Sequence, residues 1–228
     1  MCGRYALTTP RTAVAEHFSA TLSETSEAAF GNAGPNWNVC PTITVPVVRL
    51  GEAGRELVPM RWGFLPRWYK APNGGPLLIN ARSETLASKP AFGAAARTRR
   101  CLIPADGFYE WLREGKAKQP YWVHPTAPDE TIVAFAGVWE TWRGPDGETI
   151  DACAVATCEA APPLAAIHHR EPVTIRVGDE ALWLGEAGHG AATLMHAAPE
   201  GFWTLRKVAP TVNSNRAAGP ELIEPWDG

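Results

Sequence analysis

From residue 43 to residue 208 the chain is a succession of short apolar segments separated by turn residues, and this pattern constrains the fold most. Residues 43–50 and 55–62 flank a Gly/Glu/Ala/Gly turn, which predicts a β-hairpin. Because regular alternation of strands with helices is missing, the sequence predicts an α+β fold with mainly antiparallel sheet. Further strands are predicted at residues 100–103, 107–113, 119–124, 131–142, 149–157, 172–176 and 202–208.

Helical patterns are fewer. The first follows Thr9 and Pro10 over residues 11–22, with apolar side chains at every fourth position. The polar stretch from there to Pro35 is predicted to be a loop. An apolar strand is predicted to end in the Asn-x-Arg-x-Glu sequence that begins at Asn80. The remaining helices are predicted at residues 91–99, 163–168, 179–184 and 191–196.

No repeat or linker divides the 228 residues, so we predict one domain over residues 1–228, with a barrel-like core and a few flanking helices. No apolar run approaches the roughly 20 residues of a membrane span, and the N-terminus lacks the pattern of a secretory signal. Five cysteines at irregular spacings indicate reduced thiols. These features predict a cytoplasmic protein with no membrane partner, and we expect a monomer.

Cys2 is the residue with the most distinctive chemistry. A small second residue allows Met1 to be removed, and the product would begin with a cysteine whose thiol and free α-amine lie on neighbouring carbons. The reference pKa values are about 8 for the amine and about 8.5 for the thiol. Such an aminothiol can capture an aldehyde, because the amine forms a Schiff base and the thiol then closes a thiazolidine ring. The alternative is that position 2 merely tolerates a small residue.

Charge is unevenly distributed. The net charge of −3 argues mildly against nucleic acid, but residues 55–118 hold twelve Lys and Arg against five Asp and Glu. These charges either form an electropositive face or lie scattered over the surface. Within the segment, aromatic and cationic residues alternate from Arg61 to Lys70, which suits stacking on unpaired bases with phosphate contacts. Trp62 also suits a core position, whereas Trp68 is predicted to be exposed.

Metal and phosphate-loop signatures are missing. Cys153 and Cys158 are five residues apart in a predicted strand, where an odd offset directs side chains to opposite faces, and no Cys-x-x-Cys occurs. Glycine-rich nucleotide loops are also absent from the sequence. We therefore predict no metal site and no cofactor.

Three polar residues stand inside apolar surroundings. Glu110 lies between two aromatic residues, a setting in which a carboxyl can serve as a proton donor near neutral pH. Asn80 and His168 lie in comparable segments. Each has a structural alternative: Glu110 facing solvent, Asn80 stabilising a turn, and His168 as a buried, hydrogen-bonded imidazole.

Together, these segments resemble the SOS response-associated peptidase family, whose members shield abasic sites in single-stranded DNA. The resemblance covers essentially the whole chain. The matching motifs are Cys2-Gly3-Arg4-Tyr5, Asn38-Val39-Cys40-Pro41-Thr42, Arg61-Trp62-Gly63-Phe64, Asn80-Ala81-Arg82-Ser83-Glu84-Thr85, Pro104-Ala105-Asp106-Gly107-Phe108-Tyr109-Glu110-Trp111, Ile167-His168-His169-Arg170 and Gly219-Pro220-Glu221-Leu222-Ile223.

The resemblance implies an active site and a DNA-binding set. Cys2 would be the nucleophile, and Asn80, Glu110 and His168 would complete the catalytic group. The implied DNA-binding residues are Arg4, Asn38, Pro41, Trp62, Trp68, Arg82 and Arg170. Two positions depart from the family pattern: Cys40 replaces a small residue without a thiol, and Glu171 replaces an apolar or basic residue, which we expect to weaken DNA contact locally.

The implied function is a DNA damage response in which Cys2 crosslinks to abasic sites of single-stranded DNA, with the protein cytoplasmic and nucleoid-associated when bound. Self-removal of Met1 would account for the peptidase description, and lyase-like chemistry stays open. One alternative is an N-terminal-cysteine peptidase or amidohydrolase acting on other molecules with Cys2, Asn80 and His168. Another is a binder of single-stranded DNA in which Cys2 is incidental.

Overall fold

The computed structural model describes residues 2–115 and 117–228, and these residues form four α-helices and thirteen strands. The helices are α1 (Arg11–His17), α2 (Glu24–Phe30), α3 (Gly93–Thr98) and α4 (Glu180–Leu184). The strands are β1 (Tyr5–Leu7), β2 (Asn36–Val39), β3 (Thr44–Gly51), β4 (Gly54–Trp62), β5 (Asn80–Arg82), β6 (Arg100–Ala105), β7 (Gly107–Glu114), β8 (Ala117–Pro125), β9 (Val133–Arg143), β10 (Thr149–Glu159), β11 (Arg170–Pro172), β12 (Thr174–Ile175) and β13 (Trp203–Lys207).

Five strands close into a barrel in the order β4-β3-β6-β9-β10, with β10 returning to β4. Four of the pairings are antiparallel, and the β10–β4 pairing is parallel. The short strand β5 continues the line of β4 along β10, so that Asn80 lies opposite Val155. The prediction of an α+β domain with mainly antiparallel sheet and a barrel-like core is confirmed.

A second, five-stranded sheet in the order β13-β8-β7-β1-β2 packs against the barrel. The chain passes from β6 in the barrel to β7 in this sheet through Asp106 and Gly107. A Cβ atom at Gly107 would lie 2.5 Å from the carbonyl oxygen of Val123, so glycine permits the close approach of β7 to β8. The Asp106 carboxylate accepts hydrogen bonds from the Thr8 backbone N–H and hydroxyl at 2.6 and 2.7 Å, which fixes the chain just after β1.

Aromatic rings join the two sheets. Tyr5 on β1 contacts Trp62 of the barrel edge-on, with ring centroids 5.1 Å apart, and Phe108 on β7 contacts Phe135 on β9 at 5.8 Å. All four side chains are fully buried. Edge-to-face pairs add about 0.5–1.5 kcal/mol each beyond their area burial. The N-terminal strand is therefore held firmly against the barrel.

The segment between α1 and Pro35, predicted as a loop, contains helix α2, so that prediction is wrong. The Ser23 hydroxyl accepts a hydrogen bond from the Ser26 backbone N–H and caps the helix. Phe30 buries its ring, and Arg11 pairs with Glu27 at 2.8 Å. A serine followed by acidic residues was the signal for this N-terminus.

The other predicted strands are confirmed, and β6, β7, β8 and β10 extend beyond their predicted bounds. The helices predicted at residues 163–168 and 191–196 are short 3-10 turns, Leu164–Ala166 and Ala191–Leu194. Helix α1 ends at His17 rather than at residue 22, and Ser19 beyond it has a positive φ of 50°. The hairpin of β3 and β4 has the predicted turn. The apolar residues before Asn80 form only an isolated bridge, between Phe64 and Leu78, so the predicted strand there is wrong and β5 begins at Asn80 itself.

None of the described helices is long and apolar enough to cross a membrane. Among residues 2–115 and 117–228, no three His, Cys, Asp or Glu side chains come together as metal ligands.

Candidate active site

Cys2 lies three residues before β1 and is completely buried. Its carbonyl oxygen accepts a hydrogen bond of 2.8 Å from Nδ2 of Asn80, the first residue of β5. The Oδ1 atom of Asn80 is also buried and has no hydrogen-bond partner within the described residues. A buried acceptor of this kind is costly unless a ligand or a moving group completes it. Asn80 thus fixes the main chain at Cys2 and keeps an acceptor at the site.

Glu110 reaches the same place from β7. Because β1 and β7 run antiparallel with Tyr5 opposite Phe108, Glu110 lies across from the residues that precede β1. Its side chain is 4% exposed, and Oε1 accepts a hydrogen bond of 3.1 Å from the Trp111 backbone N–H. Glu110 does not face solvent, which removes the structural alternative for this residue.

His168 completes the cluster from the loop between β10 and β11. Its Nδ1 atom lies 4.0 Å from Oε2 of Glu110 and accepts a hydrogen bond of 3.0 Å from the Arg170 backbone N–H. Burial lowers the pKa of His168, although the charge of Glu110 acts in the opposite direction. The lowered pKa favours the neutral ring, and acceptance of the Arg170 N–H at Nδ1 favours the tautomer with its proton on Nε2.

The thiol of Cys2 is held in its protonated form. Burial, and next the negative charge of Glu110, raise its pKa to about 12, while a hydrogen bond from the Arg4 backbone acts in the opposite direction. This differs from the reference value near neutrality that position 2 suggested. In this chain Met1 precedes Cys2, so the Cys2 nitrogen is an amide rather than an amine. The thiol needs a base, or a positive charge beside it, before it can attack.

Cys2, Asn80, Glu110 and His168 thus lie at one place, although they come from four separate parts of the chain. The cluster combines a nucleophile, a hydrogen-bonding amide, a buried carboxylate and a neutral imidazole. These are the groups that nucleophilic and general acid–base chemistry uses.

Arg4 and Asn38, predicted to bind DNA, bind the C-terminal segment. The Arg4 guanidinium donates to Oδ1 of Asn38 at 3.0 Å, to the Val212 carbonyl at 2.6 Å and to Oδ1 of Asn215 at 2.6 Å. Asn38 is 6% exposed, and its Nδ2 donates to two carbonyls of the same segment. The side chain of Asn38 is therefore committed to the fold, and we remove it from the DNA-binding set.

Arg170 and Arg82 differ in whether the guanidinium group is free to contact a phosphate. Arg170 is buried and donates to both carboxylate oxygens of Glu84, at 2.6 and 2.9 Å, and to the Thr157 carbonyl. The pair lowers the pKa of Glu84. A phosphate at Arg170 would have to compete with Glu84, whereas Arg82, on the exposed side of β5, is accessible.

The two tryptophans of the basic segment, Trp62 and Trp68, differ in burial. Trp62 is fully buried and donates from Nε1 to the Ile79 carbonyl at 3.1 Å, so it cannot stack on a base in this conformation. It belongs to the core rather than to a DNA surface. Trp68 is 59% exposed, which confirms its predicted exposure. Pro41 is half-buried, and its role stays a prediction.

Glu171, expected to weaken DNA contact, is turned inward and is 1% exposed. Its carboxylate accepts hydrogen bonds from the backbone N–H groups of Ala161 at 3.0 Å and Ala198 at 2.8 Å. Burial raises the pKa of Glu171. The expected effect is therefore wrong in its physical basis, because this side chain anchors the loop that carries His168 and does not reach the surface.

Sequence reasoning missed the C-terminal segment that borders the site. Nε1 of Trp111 donates to Oδ1 of Asn213 at 2.7 Å, and Asn215 receives Arg4. The position of Trp111, directly after Glu110, was the available signal for it. Nothing in the spacing of Asn213 and Asn215 indicated a contact with residues 100 or more positions away.

The barrel and this cluster define a single-domain α+β protein in which a buried cysteine at position 2 lies beside an asparagine, a glutamate and a histidine. The chain belongs to the SOS response-associated peptidase family, whose model matches residues 1–215. This confirms the identification made from the sequence motifs.

Named relatives match over most of the chain. It is 32% identical over 230 residues to the abasic site processing protein YoqW of Bacillus subtilis, covering 98% of this chain and 99% of that one. It is 32% identical over 234 residues to the abasic site processing protein HMCES of Mus musculus, covering 85% of this chain and 65% of that one. A crystal structure of a protein from Bacteroides thetaiotaomicron shares the fold, with a TM-score of 0.88, 21% identity and coverage of 99% and 100%.

Proposed function

We propose that the chain captures abasic sites in single-stranded DNA by forming a covalent thiazolidine with Cys2 after Met1 has been removed. The observation that carries the proposal is the burial of Cys2 beside Asn80, Glu110 and His168. The names of the relatives, abasic site processing proteins, point to the same substrate. On this proposal the protein acts as a monomer in the cytoplasm, at the nucleoid when bound to DNA.

Removal of Met1 changes the chemistry of Cys2 in two ways. It converts the amide nitrogen into an amine on the carbon next to the thiol-bearing carbon. When protonated, the amine also places a positive charge beside the thiol, which lowers the thiol pKa from the value that burial imposes. An internal cysteine in the same pocket would have neither effect. The reactive group is therefore created by processing and is absent before it.

The covalent steps balance with the loss of one water. The abasic sugar opens to its aldehyde, and the amine of Cys2 adds to C1′ to give a carbinolamine. Glu110 takes the proton that the amine nitrogen loses and returns it to the carbinolamine hydroxyl, which leaves as water and gives a Schiff base. The sulfur then bonds to C1′, the C=N electron pair moves to nitrogen, and the proton from the thiol ends on nitrogen. The product is a five-membered ring with bonds from C1′ to both nitrogen and sulfur.

Asn80 and His168 support these steps on this proposal. The unpartnered Oδ1 of Asn80 can accept a hydrogen bond from the new amine, while its Nδ2 keeps hold of the Cys2 carbonyl. The proton on Nε2 of neutral His168 can be donated to a sugar hydroxyl or a phosphate oxygen. Fixing both nucleophiles at one carbon supplies the positioning that two weak nucleophiles need.

Incubation of the purified protein with single-stranded DNA that carries one abasic site tests the proposal. We expect a band that survives denaturing electrophoresis, and its intact mass should be one water below the sum of the Met1-free protein and the DNA. DNA of the same sequence without the lesion is the control. An amide-cleaving activity on peptide substrates, without any covalent band, would instead favour a peptidase that acts on other molecules.

Arg82→Ala and Trp68→Ala should both weaken binding to single-stranded DNA, through different physical effects. Both side chains are exposed, so neither change should unfold the protein. Loss of Arg82 should reduce the salt slope of log affinity by about 0.7 per phosphate contact. Loss of Trp68 should cost about 1–3 kcal/mol of stacking with little change in slope. Fluorescence anisotropy at several salt concentrations separates the two, and parent-like binding by both variants would exclude this face from DNA contact.

A further inference from the structure

A second charged cluster lies outside the active site, centred on Glu140 of β9. Glu140 is 4% exposed, and its carboxylate binds Arg67 at 2.9 and 3.0 Å and Arg99 at 2.8 Å. The backbone N–H of Thr141 donates to the same carboxylate at 3.0 Å. These hydrogen bonds and ion pairs satisfy the buried carboxylate of Glu140.

The cleft at this cluster carries more positive charge than Glu140 can balance. It encloses about 330 Å³ and is lined by Arg67, Arg99, Glu140, Thr141 and Arg143. Three guanidinium groups face one carboxylate, although the chain as a whole has a net charge of −3. Within residues 2–115 and 117–228, Arg143 forms no ion pair. This excess of positive charge is what an anion requires.

An exposed aromatic ring adjoins the cleft. Residues 66–69 form a tight turn, closed by a 3.0 Å hydrogen bond from the Tyr69 N–H to the Pro66 carbonyl, with Arg67 and Trp68 at its tip. The turn is anchored to β9, because Nε1 of Trp142 donates to the Tyr69 carbonyl at 2.7 Å. The stacking surface and the cationic cleft are therefore both held by β9 and the turn at residues 66–69. Proteins that bind single-stranded nucleic acid use this combination.

We propose that this cleft binds a phosphodiester group of single-stranded DNA that flanks the lesion, next to the base that stacks on Trp68. The inference rests on the proposed function. Glu140 lies opposite Ala152 on β10, whereas Asn80 lies opposite Val155, three residues further along the same strand. At about 3.3 Å per residue, the two positions are roughly 10 Å apart along the strand direction, and the odd offset directs Glu140 and Asn80 to opposite faces of the sheet. The cleft therefore serves DNA beyond the lesion and leaves the reacting sugar to Cys2.

Arg143→Ala is the informative variant, because Arg143 lines the cleft without supporting Glu140, so the fold should survive. Binding is measured with undamaged single strands of about 4 and about 16 nucleotides, the range of known site sizes. We expect the salt slope of log affinity for the longer strand to become shallower by about 0.7, so that between 50 and 200 mM salt the variant loses about 2.6-fold less affinity than the parent. The shorter strand should bind as it does to the parent.

Arg113→Ala is the matched control, since Arg113 is an exposed arginine at the far end of β7. It should leave the salt slope for both strands unchanged. Equal slopes for parent, Arg143→Ala and a charge-reversing Arg143→Glu variant on the longer strand would overturn the proposal. Thermal melting confirms that each variant is folded.

Titration with inorganic phosphate distinguishes a small anion from DNA as the ligand. We expect free phosphate to compete weakly with the longer strand in the parent and not in Arg143→Ala. Tight binding of free phosphate by the parent, together with unchanged DNA binding by Arg143→Ala, would assign the cleft to a small phosphate ligand and overturn the DNA assignment. Because undamaged DNA is used throughout, failure of the covalent reaction would appear separately, in the crosslinking assay.

Discussion

A chain that keeps a residue ahead of Cys2 should fail to form a stable crosslink with an abasic site, although its thiol is intact. Inserting an arginine between Met1 and Cys2 leaves the Cys2 nitrogen in a peptide bond, so that no Schiff base can form. The thiol alone would also have to attack from a setting that raises its pKa to about 12. We expect loss of the denaturation-resistant band, within the detection limit, and intact mass must verify that the insertion is retained.

Two further variants isolate the roles of amine and thiol. Cys2→Ala keeps a free α-amine after loss of Met1, so it should give only a labile adduct that borohydride reduction traps. Cys40→Ser is the matched control, because Cys40 is the described cysteine that is only half-buried and should be irrelevant to the reaction. Efficient crosslinking by the chain with the inserted arginine would mean that the thiol, or another residue, attacks alone.

The fold was predictable where the chain alternates short strands with turn residues. The β3–β4 hairpin and strands β6 to β10 follow from local patterns, because each has its apolar run and its bounding glycine or proline. Closure of the barrel was not derivable from local pattern. The parallel contact of β10 with β4 and β5 joins residues that are about 75–90 positions apart, and no local signal encodes such a pairing. Helix α2 was missed because its polar composition concealed a capped N-terminus.

The candidate site shows the same division. Cys2, Glu110 and His168 were singled out through the resemblance of their segments to the family, because from residue type alone each kept a structural alternative. The partners of the arginines were not. Whether Arg170 faces solvent or binds Glu84 depends on where β11 lies against β10, and whether Arg4 is free depends on the C-terminal segment. The sequence shows where the arginines are, but whether an arginine is free to bind DNA depends on its tertiary contacts.

Glu110 has two opposing effects on the rate of the proposed reaction. Its negative charge helps raise the Cys2 thiol pKa, which makes the thiolate scarcer. Its carboxyl group is also the proton carrier on the proposed mechanism, and its Oε2 lies 4.0 Å from Nδ1 of His168. Removing the charge should therefore make the thiol more acidic while it removes the acid–base group. The two effects on the rate have opposite signs.

Glu110→Gln should therefore slow crosslink formation by about 10²–10⁴, the usual contribution of a general acid–base group, in spite of a more acidic thiol. The amide keeps the size of the side chain and an acceptor for the Trp111 N–H, so the fold and DNA affinity should be retained. Single-turnover rates at saturating DNA give the effect on the reaction, and the pH dependence of Cys2 alkylation gives the thiol pKa. Glu114→Gln, an exposed change on the same strand, is the matched control and should react like the parent. If the Glu110→Gln rate instead rises with the thiol acidity, the carboxylate acts only through its charge, and proton transfer must be assigned to His168 or to the amine itself.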